Sequence, residues 1–426
     1  MSPASVLPSS RYGTALPGPV HAPQGPQGAP LVMIFTDDPE RGGVAQYNHA
    51  LLLALVGSGF RAACAQAPSK SPLIDAQRAA GVEHHWLPYD AKGAEFSVSI
   101  RDMATPKAIF ESARPALIIF SDCCPVSNLA AKHAAMALRI PFVIVVGFAA
   151  EYLVEQARGL LGLVQRHYAK ARAVIAVSEE NLQLLRRCFG LAADKGTVVH
   201  YGRPATFFAA RDPVRRRQLR AELGIPESAV VALTAARLAS IKGYQYQIAA
   251  IEELDRRGAL ANNHFVWLGE GEMRATLEQE IGRHHWEARV TLAGHRWDMP
   301  EWYEISDLYI LPSENEGMPL SIMEAMAKSL PVIASAISGI PEELGATGKL
   351  LPDPKVRRGD AVQQLARTIE LWTKDAELRR RIGAACRQRA ELLFREEAML
   401  GKTMAIISDS LPMNVGTNED NVCRLA

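Results

Sequence analysis

The chain has 426 residues, enough for two or three domains, with two the economical number. Hydrophobic residues make up 48% and charged residues 22%, a balance that excludes wholesale disorder. Lys plus Arg total 47 against 46 Asp plus Glu, so a net charge of +1 argues against a dedicated nucleic-acid binder. Six cysteines (Cys64, Cys123, Cys124, Cys188, Cys386, Cys423) are too few for a disulfide scaffold, and none has CxxC spacing. The adjacent Cys123 and Cys124 read as a redox pair or as two small residues at a strand end, and buried packing is the commoner role.

Met1–Ala29 is rich in Pro, Gly, Ser and Ala and lacks a continuous apolar core. It is expected to be a disordered tail (1–29), not a secretory signal. After it, short apolar runs alternate with helical patterns. Strands are expected at Leu31–Thr36, Ala62–Ala67, Val82–Leu87, Ala116–Ser121, Pro141–Gly147, Ala173–Ser178 and Thr197–His200, with a helix over Val44–Val56. Ile140–Val146 is the most apolar later stretch and is too short to cross a bilayer, so a cytoplasmic location is expected. The Tyr152–Arg172 segment reads as a helix carrying Arg158, Arg166, His167, Lys170 and Arg172 beside several leucines. It is either a solvated basic face or a peripheral contact with an anionic membrane.

Gly202, Pro204, Pro213 and Pro226 then punctuate the chain, and the alternation restarts. Strands are expected at Val230–Ala235, His264–Leu268, Arg289–Ala293, Asp307–Leu311 and Pro331–Ser335, and helices at Tyr244–Arg257, Glu272–His284 and Pro319–Lys328. From Gly359 to Ser410 the pattern is helical. This α/β order predicts two doubly wound Rossmann-like domains facing across a cleft, 30–205 and 206–393. A helix near 394–410 would cross back to the first domain, and 411–426 would be a flexible tail.

Three segments lie between a strand and a helix. Asp37-Asp38-Pro39-Glu40-Arg41-Gly42-Gly43 offers paired glycines at a helix start, suited to a phosphate or to an ordinary turn. Arg237 and Lys242, followed by Gly243, set two cations five residues apart, either a diphosphate clamp or two solvated surface charges. The third segment is Pro312-Ser313-Glu314-Asn315-Glu316-Gly317-Met318-Pro319-Leu320-Ser321, with Glu324 further along the helix. Two carboxylates there flank unpaired helix-start amides. A carboxylate accepts from adjacent hydroxyls while amides bind phosphate oxygens, which is a layout for a sugar nucleotide. Helix-dipole preference alone accounts for neither the loop Glu316 nor Gly317. The pairs His84-His85 and His284-His285 read as structural, without the ligand company a metal needs.

The Glu316-x7-Glu324 spacing, with Pro331-Val332-Ile333-Ala334 and Gly339-Ile340-Pro341-Glu342 after it, resembles the retaining GT-B glycosyltransferases known as family 4. Further matches follow in order: Gly42-Gly43, Val177-Ser178-Glu179, Tyr201-Gly202, Arg237 and Lys242, Gly269-Glu270-Gly271-Glu272 and Asp307-Leu308. The resemblance spans about residues 31–410 and is stronger in the second half. It implies that Glu316 binds hydroxyls of the transferred sugar and Glu324 those of the ribose. Arg237 and Lys242 would clamp the diphosphate, and Gly42 and Gly43 would approach it from the other domain. Gly317, Met318, Pro319 and Leu320 would line the donor and offer main-chain amides, with the base near Gly294–Arg296. Asp37-Asp38 would take structural or acceptor-side roles.

The implied reaction is retaining transfer from a nucleoside-diphosphate sugar to a hydroxyl acceptor (glycan, lipid-linked or small molecule), with no cofactor and no metal. Partners would exclude nucleic acid and allow peripheral membrane contact. One departure is Gly147-Phe148, where many family members carry a His on the donor sugar; Ser329-Leu330 before Pro331 is another. The alternatives are a non-catalytic sugar-nucleotide-binding relative and a sugar-nucleotide epimerase on the same fold.

Overall fold

Apolar runs without alternation are what a parallel sheet covered on both faces requires. β1 (Leu31–Thr36) is buried at every position, as are β4 (Leu117–Asp122) and β5 (Phe142–Val146), defined with their neighbours below. The computed structural model describes residues 28–38, 42–89 and 96–412. The expected tails 1–29 and 411–426 fall outside them except for 28–29 and 411–412, as do Pro39, Glu40 and Arg41.

The first sheet has seven parallel strands in the order β3-β2-β1-β4-β5-β6-β7. The remaining members are β2 (Arg61–Gln66), β3 (Glu83–Trp86), β6 (Ala173–Ala176) and β7 (Thr197–Val198). Val32 pairs with Leu117, and Ile118 with Phe142, in the registers that stack their apolar side chains. The second sheet has six parallel strands, β10-β9-β8-β11-β12-β13. They are β8 (Val230–Ala235), β9 (Asn263–Leu268), β10 (Val290–Gly294), β11 (Leu308–Leu311), β12 (Val332–Ser335) and β13 (Lys349–Leu351). Strand order reverses between β1 and β4 and again between β8 and β11. Crevices open at such reversals, beyond the carboxyl ends of the strands.

Each sheet carries an apolar core on both faces, and one core is continuous between the domains. It joins Val32, Ile34 and Ile119 of the first sheet to Val231, Leu233 and Val266 of the second through Tyr201, Phe207 and Phe208. The chain crosses between domains twice, side by side. Arg203 N–H donates to Phe394 O at 2.8 Å, and Glu396 N–H donates to Arg203 O at 3.0 Å. Helix Glu396–Ser410 then returns to helix Gly43–Gly57, where Tyr47 and Thr403 hydroxyls lie 3.4 Å apart.

Two expectations need correction. The Tyr152–Arg172 helix is two helices, Tyr152–Gln156 and Leu161–Lys170, because Gly159 sits in the intervening turn and lowers helix propensity there. Strand β13 was not expected: three residues at a sheet edge are too few to show a period. Among the described residues no helix is long and apolar enough to cross a membrane.

Candidate active site

The loops after β8 and β11 are held together by close backbone approach. Gly243 has φ +80°, and a Cβ there would lie 2.0 Å from Pro312 O, so only glycine lets these loops touch. The touch brings Lys242 to Glu316: Nζ lies 2.7 Å from Oε1. Ser313 Oγ donates to the same oxygen at 2.7 Å. Among the described residues no hydrogen bond reaches Glu316 Oε2, although the residue is 8% exposed. Arg237 is exposed and has no ion pair among the described residues. Its loop is buttressed by the Gly269–Glu272 turn, since Leu238 N–H donates to Glu270 O at 3.0 Å.

Helix Leu320–Ala327 starts after Pro319 with no side-chain cap; the Ile322 amide donates to Pro319 O at 3.0 Å, and the Leu320 and Ser321 amides precede the first intrahelical bond. Opposite them, helix Gly43–Gly57 of the first domain also starts without a side-chain cap, at Gly42. A Cβ on Gly43 would lie 3.5 Å from Leu320 Cγ, which places the two helix starts face to face. Gly317 approaches the first domain still more closely, since a Cβ there would be 2.2 Å from Gly147 O.

Glu324 is 4% exposed, and each of its carboxylate oxygens has one protein partner. Arg203 Nη2 lies 2.8 Å from Oε1, and Tyr303 Oη donates to Oε2 at 2.7 Å. Burial pushes the Glu324 carboxyl above its ordinary value, with Arg203 and the Tyr303 bond working against that rise.

The predicted site residues Gly42, Gly43, Lys242, Glu316, Gly317, Pro319 and Leu320 therefore gather around one cleft, with Arg237 at its rim. Met318 departs from expectation: its side chain is in the core at 3% exposure, leaving its backbone alone for a ligand. At Gly147, part of the Gly147-Phe148 place where many family members carry a histidine, a larger residue would have to displace two side chains. A Cβ there would lie 2.9 Å from Val44 and 3.0 Å from Tyr201 Oη. Arg296, near the expected base seat, is held by Asp298 at 3.0 and 2.7 Å and lies 4.9 Å over the Trp302 ring.

Sequence reasoning missed Arg203, Tyr303, and an interdomain clasp. Glu342 Oε1 lies 2.6 Å from His200 Nε2, and its Oε2 accepts from Glu179 N–H at 2.8 Å. These partners are more than a hundred residues apart, which no local pattern reports. His284 also has company the sequence did not suggest. Glu252 and Glu280 surround it as a possible three-ligand group, but Arg283 donates to both carboxylates at 3.2 and 2.5 Å. Cys123 and Cys124 are partly buried after β4 and form no disulfide among the described residues, as the packing reading expects.

Asp37 and Asp38 follow β1 and are buried. Asp37 accepts from Ser127 Oγ at 2.5 Å and Cys123 N–H at 3.0 Å. Next to it Asp122 is paired with the buried Lys132 and accepts from Asn128 at 2.8 Å. Burial, countered by Lys132 and reinforced by Asp37, pushes Asp122 up to about 7.

Comparison with known proteins agrees with this geometry. Residues 215–389 match the glycosyl transferases group 1 model and residues 42–202 a glycosyl transferase 4-like domain. Alpha-D-kanosaminyltransferase of Streptomyces kanamyceticus is 32% identical over 220 residues, 50% of this chain and 56% of that protein. A D-inositol 3-phosphate glycosyltransferase of Streptomyces avermitilis is 28% identical over 248 residues, 56% of this chain and 52% of its own length. The chain thus spans about half the length of the curated relatives it matches. Anabaena Alr3699/HepE, solved in complex with UDP-glucose, superimposes with a TM-score of 0.74 at 19% identity, covering 89% of this chain and 99% of that one. The lipopolysaccharide-biosynthesis glycosyltransferase WaaG gives 0.67 at 15% identity over 88% and 99%. Matched by glycosyl transferase models over residues 42–202 and 215–389 and folded as two facing parallel-sheet domains, the chain is similar to these glycosyltransferases and has the GT-B fold.

Proposed function

We propose that the protein is a retaining glycosyltransferase that moves a sugar from a nucleoside diphosphate to a hydroxyl acceptor. The observation that carries this reading is the pairing of Lys242 with Glu316 beside an uncapped helix start, with Gly43 of the other domain facing it. The open Oε2 of Glu316 is available to a sugar hydroxyl. Lys242, Arg237 and the amides of Gly317, Met318, Leu320 and Ser321 surround the place for a diphosphate. Departure of the leaving group builds negative charge there, and fixed cations and amides stabilise it where it develops. In this reading protein cations supply the positive charge, and a divalent ion is not required. Glu324 takes the ribose hydroxyls. The UDP-glucose bound by the HepE neighbour supports a nucleotide-sugar donor.

The acceptor would enter from the first domain and attack from the leaving-group face, with retention at the anomeric carbon. We place the enzyme in the cytoplasm, with peripheral membrane contact through Arg158, Arg166, Lys170 and Arg172, which are exposed. The apolar side of helix Leu161–Lys170 (Val164, Tyr168) packs inward, so such contact would be electrostatic.

The test is product formation from UDP-, GDP- and ADP-sugars over a broad acceptor panel, with and without EDTA. Retained anomeric configuration in the product, read by NMR coupling constants and unaffected by EDTA, is expected. Donor binding without turnover would favour a non-catalytic protein. Conversion of the sugar nucleotide with no acceptor would favour an epimerase.

A further inference from the structure

Arg203 lies where the two interdomain crossings run side by side, and its backbone is bonded to both sides of the second crossing. Its side chain is 8% exposed and points into the second domain. There it meets Glu324 Oε1 at 2.8 Å and the Phe207 ring at 4.8 Å, while its Nε has no hydrogen-bond partner among the described residues. Burying a guanidinium is costly, and a hinge strap that needed only packing would be served by an apolar side chain. A buried cation aimed at one carboxylate therefore calls for a reason in that carboxylate.

We propose that Arg203 is a positioning residue for nucleotide binding: from the interdomain crossing it orients Glu324 and keeps it ionised to receive the ribose hydroxyls. The proposal rests on the donor-site reading above. Arg203 and Tyr303 occupy one lone pair on each oxygen of Glu324. An ionised carboxylate has about four acceptor sites, so two remain for a vicinal diol. Tyr303 is itself fixed by edge contact with Phe207 at 6.1 Å, and its hydroxyl, which donates to Glu324, lies 3.2 Å from Ser321 O. The same Phe207 ring lies under Arg203, so cation, ring and phenol form one packed support behind Glu324. The other ionisable groups facing this support are Tyr309 toward Glu324 and Glu396 toward Arg203. Because Arg203 is part of the crossing, a change in the angle between the domains would move the group that holds Glu324. Ribose binding and domain closure would then be coupled through one side chain.

The experiment compares calorimetric affinity for a nucleoside diphosphate with that for its 2′,3′-dideoxy analogue, using whichever of UDP, GDP and ADP binds the full-length protein best. Wild type is expected to prefer the ribose form at least tenfold. In Arg203→Met the preference should fall below threefold at pH 7 and recover toward pH 9, where the buried carboxyl ionises without its cation. Arg203→Lys should restore most of it. Tyr303→Phe removes the second bond and keeps the ring, and it should lower the preference without the pH recovery. It also serves if Arg203→Met does not fold. A full tenfold preference in either folded variant, with no pH dependence, would overturn the proposal and leave the donor site standing. A wild type that binds no nucleoside diphosphate, or binds both forms equally, would overturn the donor-site reading and this proposal with it.

Discussion

The two strand-reversal crevices hold similar residue types and use them oppositely. At the end of β1 and β4, Asp37, Asp122, Ser127, Asn128 and Lys132 are all buried and satisfy one another. At the end of β8 and β11, among the described residues, Arg237 is exposed without an ion pair, Glu316 keeps one oxygen open, and a helix starts without a side-chain cap. An acid paired with a lysine is therefore not a functional signal by itself. What distinguishes the crevices is the balance of partners: the first closes its polar groups internally, and the second leaves capacity facing the cleft.

The largest effect should come from the closed crevice. Lys132→Met leaves Asp122 buried without its cation and should cost about 3–5 kcal/mol in chemical denaturation at pH 8. A carboxyl with a raised folded-state pKa binds its proton more tightly folded than unfolded, so its penalty is full above that pKa and fades as pH falls toward its ordinary value. The loss should therefore shrink at pH 5. A pH-independent loss below 1 kcal/mol would mean that Lys132 is not needed to close the network.

Lys242→Ala should act differently, lowering turnover at least tenfold through the loss of about 1.5–3 kcal/mol of leaving-group stabilisation. Its thermal midpoint should move little. Unchanged turnover would remove the distinction between the crevices. Glu324→Gln should weaken nucleotide binding about tenfold, on the scale of one charge-assisted hydrogen bond; equal affinity would count against the ribose role. The smallest effect belongs to the clasp. Burial raises the Glu342 carboxyl, but the His200 and Glu179 bonds outweigh it and hold it below the ordinary 4.5. Its contribution, about 0.2–1 kcal/mol for such a pair, is present above that value and lost as pH falls through the folded-state pKa. The midpoint difference between wild type and Glu342→Gln should thus close in acid.

The sequence showed most strands because sheets buried on both faces need unbroken apolar runs, as at Leu31–Phe35 and Phe142–Val146. It showed the loops after β8 and β11 because glycines and a helix start sit at fixed local spacing. It did not show Arg203 on Glu324 or Glu342 on His200, since these pairings span 121 and 142 residues and depend on how the domains meet. It also misread Met318, whose motif position says nothing of which way the side chain turns. Local spacing encodes the open crevice well and the supports behind it poorly.

The most direct test of the account is calorimetric titration of the wild type and Lys242→Ala with UDP, GDP and ADP, without added metal. The account predicts that at least one diphosphate binds the wild type and that Lys242→Ala weakens it about tenfold or more. Binding of none of them, or equal binding by both proteins, would contradict the assignment of the β8 and β11 crevice as a donor site.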